Sequence, residues 1–140
     1  MVHAKKSLGQ HFLKDENVAG KIVECFLESN QAKTLLEIGP GTGVLTKYLL
    51  KEKTKTLFAV ELDQRMIPLL IQQFPQLAHR IFNEDVLALD LKKLSGEPIA
   101  VIGNFPYNIS SQILFKVLEN KEYVATVVGM FQKEVAKRIT

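Results

Sequence analysis

Cysteine is almost missing from this chain: Cys25 stands alone among 140 residues. No internal disulfide can form, and no CxxC pair exists to bind zinc or run thiol redox chemistry. Histidine is scarce too, and His3, His11 and His79 are too scattered for metal-ligand spacing. No apolar run approaches the roughly 20 residues needed to cross a bilayer. The N-terminal stretch MVHAKKSLGQHFL carries two lysines but no apolar segment after them, so it does not read as a secretory signal. These absences predict a cytoplasmic protein without metal or membrane association. Positive charge is in only small excess, with a formal net charge of +3. That value is compatible with nucleic-acid binding but is shared by many unrelated enzymes.

What is present suits one globular domain. Hydrophobic residues make up 46% and charged residues 24%, and 140 residues are enough to enclose a core. Apolar β-rich runs alternate with helical patterns. Asp15 is a candidate cap for a helix carrying Val18, Ile22, Val23, Phe26 and Leu27 at helical spacing. Residues 34–38 (TLLEI), 56–60 (TLFAV), 80–83, 98–102 (PIAVI) and 125–131 (ATVVGMF) read as strands. Residues 42–50, 64–74 and 110–118 read as helices, with Pro68 in a first turn and Ser110 or Ser111 as a cap. Strand and helix in alternation predict βαβ units. They form a doubly wound, Rossmann-like, mostly parallel sheet covered on both faces. Ligands bind such sheets at the carboxyl ends of the strands. The unusual residues fall there: Gly39 after the first strand, Glu61 after the second, Asp85 near the third and Asn104 after the fourth.

Residues 37–43 read EIGPGTG between a strand and a helix. Alternating glycines permit positive φ and close approach of a ligand to the backbone. Dinucleotide folds place pyrophosphate over GxGxxG. Here the spacing is GxGxG through Gly39 and Gly41, and Glu37 precedes it. A carboxylate there would repel pyrophosphate and suit the ammonium and sulfonium charges of S-adenosylmethionine, which disfavours an NAD-dependent oxidoreductase. Glu61 lies where an acid bonds ribose hydroxyls, although a strand end also suits a solvated charge. Asp85 is placed either to accept from an adenine amine or to cap a turn. Leu62 and Val86, next to these acids, are assigned to the same cofactor site.

Asn104-Phe105-Pro106-Tyr107 is the most specific feature. An adenine exocyclic amine is a poor nucleophile because its lone pair is delocalised into the ring. A side-chain amide oxygen and an adjacent backbone carbonyl can accept its two N–H bonds and localise that lone pair. Pro106 stiffens the segment, and the Tyr107 ring offers a face on which an extruded base can stack. Asn and Pro are also turn formers, and Phe105 and Tyr107 could be core packing.

Together these motifs resemble the ribosomal RNA adenine dimethyltransferases, which modify paired adenines near the end of small-subunit rRNA. The resemblance runs from Lys6 to the last residue. It rests on SLGQHFL (7–13), EIGPGTGVLT (37–46), AVELD (59–63), NEDVL (83–87) and NFPYNIS (104–110). It implies a class I methyltransferase fold that transfers two methyl groups from S-adenosylmethionine, leaving S-adenosylhomocysteine. The implied substrate is an adenine amine in the small ribosomal subunit. It also implies that an arm, residues 1–14, brings Gln10, His11 and Leu13 over the cofactor, and that Gly39, Glu61, Asp85 and Asn104 line the cofactor site. Many relatives have asparagine where His11 stands. A sister group that methylates large-subunit rRNA and confers macrolide resistance usually has a lysine among the later glycines and lacks the proline, so Pro40 and Thr42 point to the small-subunit group. Amino-methyltransferases of DNA or protein glutamine share an Asn-Pro-aromatic loop but not SLGQHFL. Mitochondrial relatives act as transcription factors, so a non-catalytic nucleic-acid-binding factor is the reading from another class. Members of the family continue past this length. The resemblance therefore implies that residues 1–140 are the catalytic domain of a longer chain, without its last strands and small helical C-terminal domain.

Overall fold

In the computed structural model, residues 16–105 and 108–131 are described. The elements in chain order are α1 (Glu16–Glu28), β1 (Thr34–Ile38), α2 (Thr46–Leu49), β2 (Thr56–Val60), α3 (Met66–Gln73), β3 (Ile81–Phe82), β4 (Ile99–Phe105), α4 (Ser110–Glu119) and β5 (Val124–Phe131). Short 3-10 turns cover Pro75–Leu77, Val86–Ala88 and Leu91–Lys93. The five strands form one sheet in the order β3-β2-β1-β4-β5, and every pairing is parallel.

β1 lies at the centre, with Leu36 facing Phe58 of β2 and Val101 of β4. It is buried on both faces, which is why it reads as a nearly unbroken apolar run. Side chains alternate between two cores. Leu35, Leu57, Ala100 and Ile102 pack with Ala19, Val23 and Phe26 of α1, Leu49 of α2 and Leu70 of α3. Leu36, Ile38, Val60, Val101 and Phe105 pack on the other face with Val86, Leu89, Leu91 and Ile113 of α4. The chain therefore builds β1-β2-β3 in one direction and returns across β1 to place β4 and β5 on its other side. That reversal opens a crevice at the carboxyl ends of β1 and β4, where doubly wound sheets bind ligands.

Several elements depart from the sequence expectation. β1 and β2 have the expected bounds, but the helix expected over residues 42–50 is only Thr46–Leu49. Gly41 and Gly43 adopt φ of 57° and 89°, which keeps the preceding residues in turns. β3 is two residues long. β4 continues to Phe105, so Asn104 lies within the strand rather than in a loop after it. Asn104 and Phe105 stay in the ladder because they pair with Met130 and Phe131 of β5. Neither Ser110 nor Ser111 is the cap of α4: Ile109 holds that position without a side-chain cap, and Ser110 is buried at the first helical residue. Asp15, the expected cap of α1, lies outside the described residues.

Candidate cofactor and base site

The glycine loop starts where β1 ends. The Gly39 N–H donates to the Val60 carbonyl at 2.9 Å, tying the loop to the end of β2. Gly39 has φ of 65°, a conformation that favours glycine. A side chain there would begin 3.5 Å from the Asn104 carbonyl oxygen, so the loop abuts the end of β4. The Gly43 N–H donates to the Pro40 carbonyl at 2.9 Å and closes the turn.

Glu61 follows β2 and faces this loop. Its Oε1 accepts from the Gly41 N–H and its Oε2 from the Asp63 N–H, each at 3.1 Å. Each oxygen keeps further acceptor capacity, so the carboxylate both fixes the loop and can receive hydroxyl donors. Leu62, next in the chain, is 68% exposed at the same edge. The Asn83 side chain donates to the Glu61 and Leu62 carbonyls at 2.9 and 3.2 Å and so ties the β3 end to the β2 end. Asn83 stands in the NEDVL motif, but nothing in its spacing marked this brace.

Asp85 Oδ1 accepts from the Leu87 N–H at 3.0 Å, so this side chain caps the Val86–Ala88 turn. Val86 is buried beneath it in the core. Asn104 is half-buried, and its side chain makes no hydrogen bond within the described residues. Phe105 is fully buried and turned into the α4-side core. Glu37, Gly39, Gly41, Glu61, Leu62, Asp85, Val86, Asn104 and Phe105 thus share the carboxyl edge of the sheet. Gln10, His11, Leu13, Pro106 and Tyr107 lie outside the described residues.

Glu37 is the least expected of these. It is 1% exposed, and its Oε1 accepts from the Thr46 hydroxyl at 2.5 Å. Burial pushes its carboxyl up to about 7, the Thr46 hydrogen bond opposes that rise, and the Glu61 charge adds to it. Nothing in the sequence singles out Thr46, which is the first residue of α2 and stands nine residues beyond Glu37. A groove of about 480 Å³ lies on the α3 side of the loop, lined by Gly41, Thr42, Met66, Leu69, Leu70, Gln72 and Gln73. It does not include Glu61, Asp85 or Asn104. Among the described residues no helix is long and apolar enough to cross a membrane.

The sheet order, the glycine loop and the acids at successive strand ends define the class I methyltransferase fold. Solved structures agree. The chain is similar to the 23S rRNA methyltransferase ErmE, with a TM-score of 0.67 and 27% identity over 88% of this chain and 48% of that one. It is similar to a dimethyladenosine transferase from Plasmodium falciparum, with a TM-score of 0.62 and 28% identity over 85% of this chain and 44% of that one. Residues 1–140 match the Ribosomal RNA adenine dimethylase family, and the chain belongs to that family. Two curated relatives, each called ribosomal RNA small subunit methyltransferase A, are 50% identical over 137 residues (Cytophaga hutchinsonii) and 52% identical over 139 residues (Parabacteroides distasonis). These alignments take in 98% and 99% of this chain but 53% and 52% of the relatives, so the chain spans about half the length of the curated relatives it matches.

Proposed function

We propose that the protein to which this chain belongs transfers methyl groups from S-adenosylmethionine to the exocyclic amine of adenines in small-subunit rRNA, in the cytoplasm. The observation that carries this reading is the placement of Asn104. Asn104 is the penultimate residue of β4, its backbone carbonyl oxygen lies 3.5 Å from where a side chain on Gly39 would begin, and its own side chain makes no hydrogen bond among the described residues. Family membership and the names of the relatives support the rRNA adenine substrate, and the small subunit over the large.

The residues present fit the cofactor. Three glycines at positive φ leave every second position of the loop without a side chain, and Glu61 presents acceptors beside it. Glu61 would hold the ribose hydroxyls and Asp85 the adenine amine, with Leu62 and Val86 against the base. Gly39 and Gly41 would admit the methionine portion. Glu37 would contribute charge from below, because a cation over the loop favours its ionised form. Gln10, His11 and Leu13 of the 1–14 arm would cover the site. When bound, S-adenosylmethionine supplies an electrophilic methyl carbon on a sulfonium centre.

The chain's own part is to prepare the nucleophile. Asn104 Oδ1 and the Phe105 carbonyl accept the two N–H groups of the target amine. That interaction strengthens as positive charge develops on nitrogen, so it favours the transition state over the ground state. Pro106 fixes the segment, and Tyr107 stacks the extruded base. The test is methyl transfer by the whole protein to purified small ribosomal subunits, with the modified bases mapped. Dimethylated adenines are expected, and modification of another base or no transfer would contradict the reading.

A further inference from the structure

The end of β4 is clamped on both sides by glycines. In the ladder Gly103 faces Ile38 of β1 and Gly129 of β5. A side chain at Gly103 would begin 2.3 Å from the Ile38 carbonyl oxygen, so this glycine lets β4 lie close to β1. Gly129 works differently. Paired residues on neighbouring strands project to the same face, and residue 105 returns to that face two positions beyond residue 103. The missing side chain at Gly129 leaves a slot there, and the Phe105 ring fills it. A side chain at Gly129 would begin 2.3 Å from Phe105 Cε2, 2.7 Å from Cδ2 and 2.8 Å from Cζ.

Three ring atoms closer than 3.0 Å cannot be relieved by a small rotation here. Phe105 is fully buried, packed with the Ile99, Val101 and Ile113 side of the core. A close-packed interior gives the ring nowhere to go. The displacement passes into the Phe105 backbone, whose carbonyl and preceding residue form the amine-binding pair of the proposed site.

We propose that Gly129 is a positioning residue for Asn104: its bare backbone seats the Phe105 ring and thereby fixes the Asn104–Phe105 pair at the carboxyl end of β4. The inference rests on the proposed methyl transfer. Gly129 is not among the residues assigned to the cofactor or the base, so a methyl group added there should spoil orientation rather than binding.

The experiment compares wild type, Gly129→Ala, Gly129→Ala with Phe105→Leu, and Asn104→Ala, each in the whole protein. Single-turnover methylation of small ribosomal subunits is measured per cofactor-binding site, counted by calorimetric stoichiometry, so unfolded material does not lower the rate. Gly129→Ala should turn over at least about 10-fold more slowly, because misplacement by a fraction of an ångström at a reacting centre costs rate, while cofactor affinity stays within about threefold. Leucine lacks the Cε2 and Cζ atoms that a methyl at 129 would strike. The double variant should therefore run at least about fivefold faster than Gly129→Ala. If Gly129→Ala fails to fold, a soluble and active double variant supports the proposal, and an insoluble or inactive one overturns it. A wild-type rate per site in Gly129→Ala, or a double variant no faster than it, also overturns it. Loss of turnover in Asn104→Ala beside a wild-type Gly129→Ala overturns this inference alone. Full turnover in Asn104→Ala removes the functional reading beneath it.

Discussion

Glu37 is a carboxyl enclosed by protein, and its environment makes its contribution to stability depend on pH. Its value is raised from an ordinary 4.5 to about 7, chiefly by burial. Between those values the unfolded chain has lost the proton that the folded chain keeps. The stabilisation is therefore fully present below pH 4.5 and is lost as pH rises through about 7, a change of about 3 kcal/mol across the window. Glu37→Gln carries no such proton and can still accept from Thr46. Chemical unfolding at pH 5 and pH 8 should show the variant gaining relative to wild type at the higher pH, and parallel stabilities at both would contradict the assignment. Glu61 has the opposite task, because its carboxylate holds the Gly41 and Asp63 N–H groups at the surface. Glu61→Ala should weaken S-adenosylmethionine binding by roughly 1.5–3 kcal/mol, the range for a hydrogen bond to a charged group. Calorimetry that finds unchanged affinity would remove Glu61 from the ribose site.

The glycine loop and the strands it joins show what a sequence can reveal about an element. A methyl group at Gly43 would meet Phe74 Cε2 at 2.5 Å, and the residue's φ of 89° is one that side chains rarely adopt. Gly43→Ala should lower stability by about 1–3 kcal/mol from strain and overpacking, measured by urea unfolding. A Gly43→Ala protein as stable as wild type would show that the loop relaxes freely. β1 and β2 were legible to the residue because buried parallel strands are continuous apolar runs with polar or glycine ends. α2 was overrun because Val44, Leu45 and Leu49 keep helical spacing through a segment that positive φ at Gly41 and Gly43 holds in turns. β4 was cut short because Asn and Pro read locally as a turn, whereas pairing of Asn104 with Met130 is a contact across the sheet. The same limit hid the seat of Phe105, which depends on the β4–β5 register and leaves no local pattern. A single carboxylate inside an apolar strand stands out in the sequence, but nothing local shows how deeply Glu37 is enclosed. Gln10, His11 and Leu13 came from family resemblance alone.

At the scale of the molecule, one sheet edge gathers groups from four strands whose order reverses at β1. β1 and β4 have partners on both sides, whereas β3 pairs along two residues only. Amide exchange should accordingly be slowest in β1 and β4 and faster in β3, and the reverse order would contradict the sheet assignment. The rigid centre holds the glycine loop and Asn104 against each other, and the account depends on that juxtaposition more than on any single hydrogen bond. It is tested by single-turnover methylation of small ribosomal subunits with the whole protein and its Asn104→Ala variant, beside a cofactor titration of each. Wild type should dimethylate adenine amines, while Asn104→Ala should bind S-adenosylmethionine within about a few-fold of wild type and lose turnover by at least about 100-fold, as expected when an interaction made mainly in the transition state is removed. A wild-type rate in Asn104→Ala would contradict it, and a collapse of cofactor affinity would move Asn104 from the base to the cofactor.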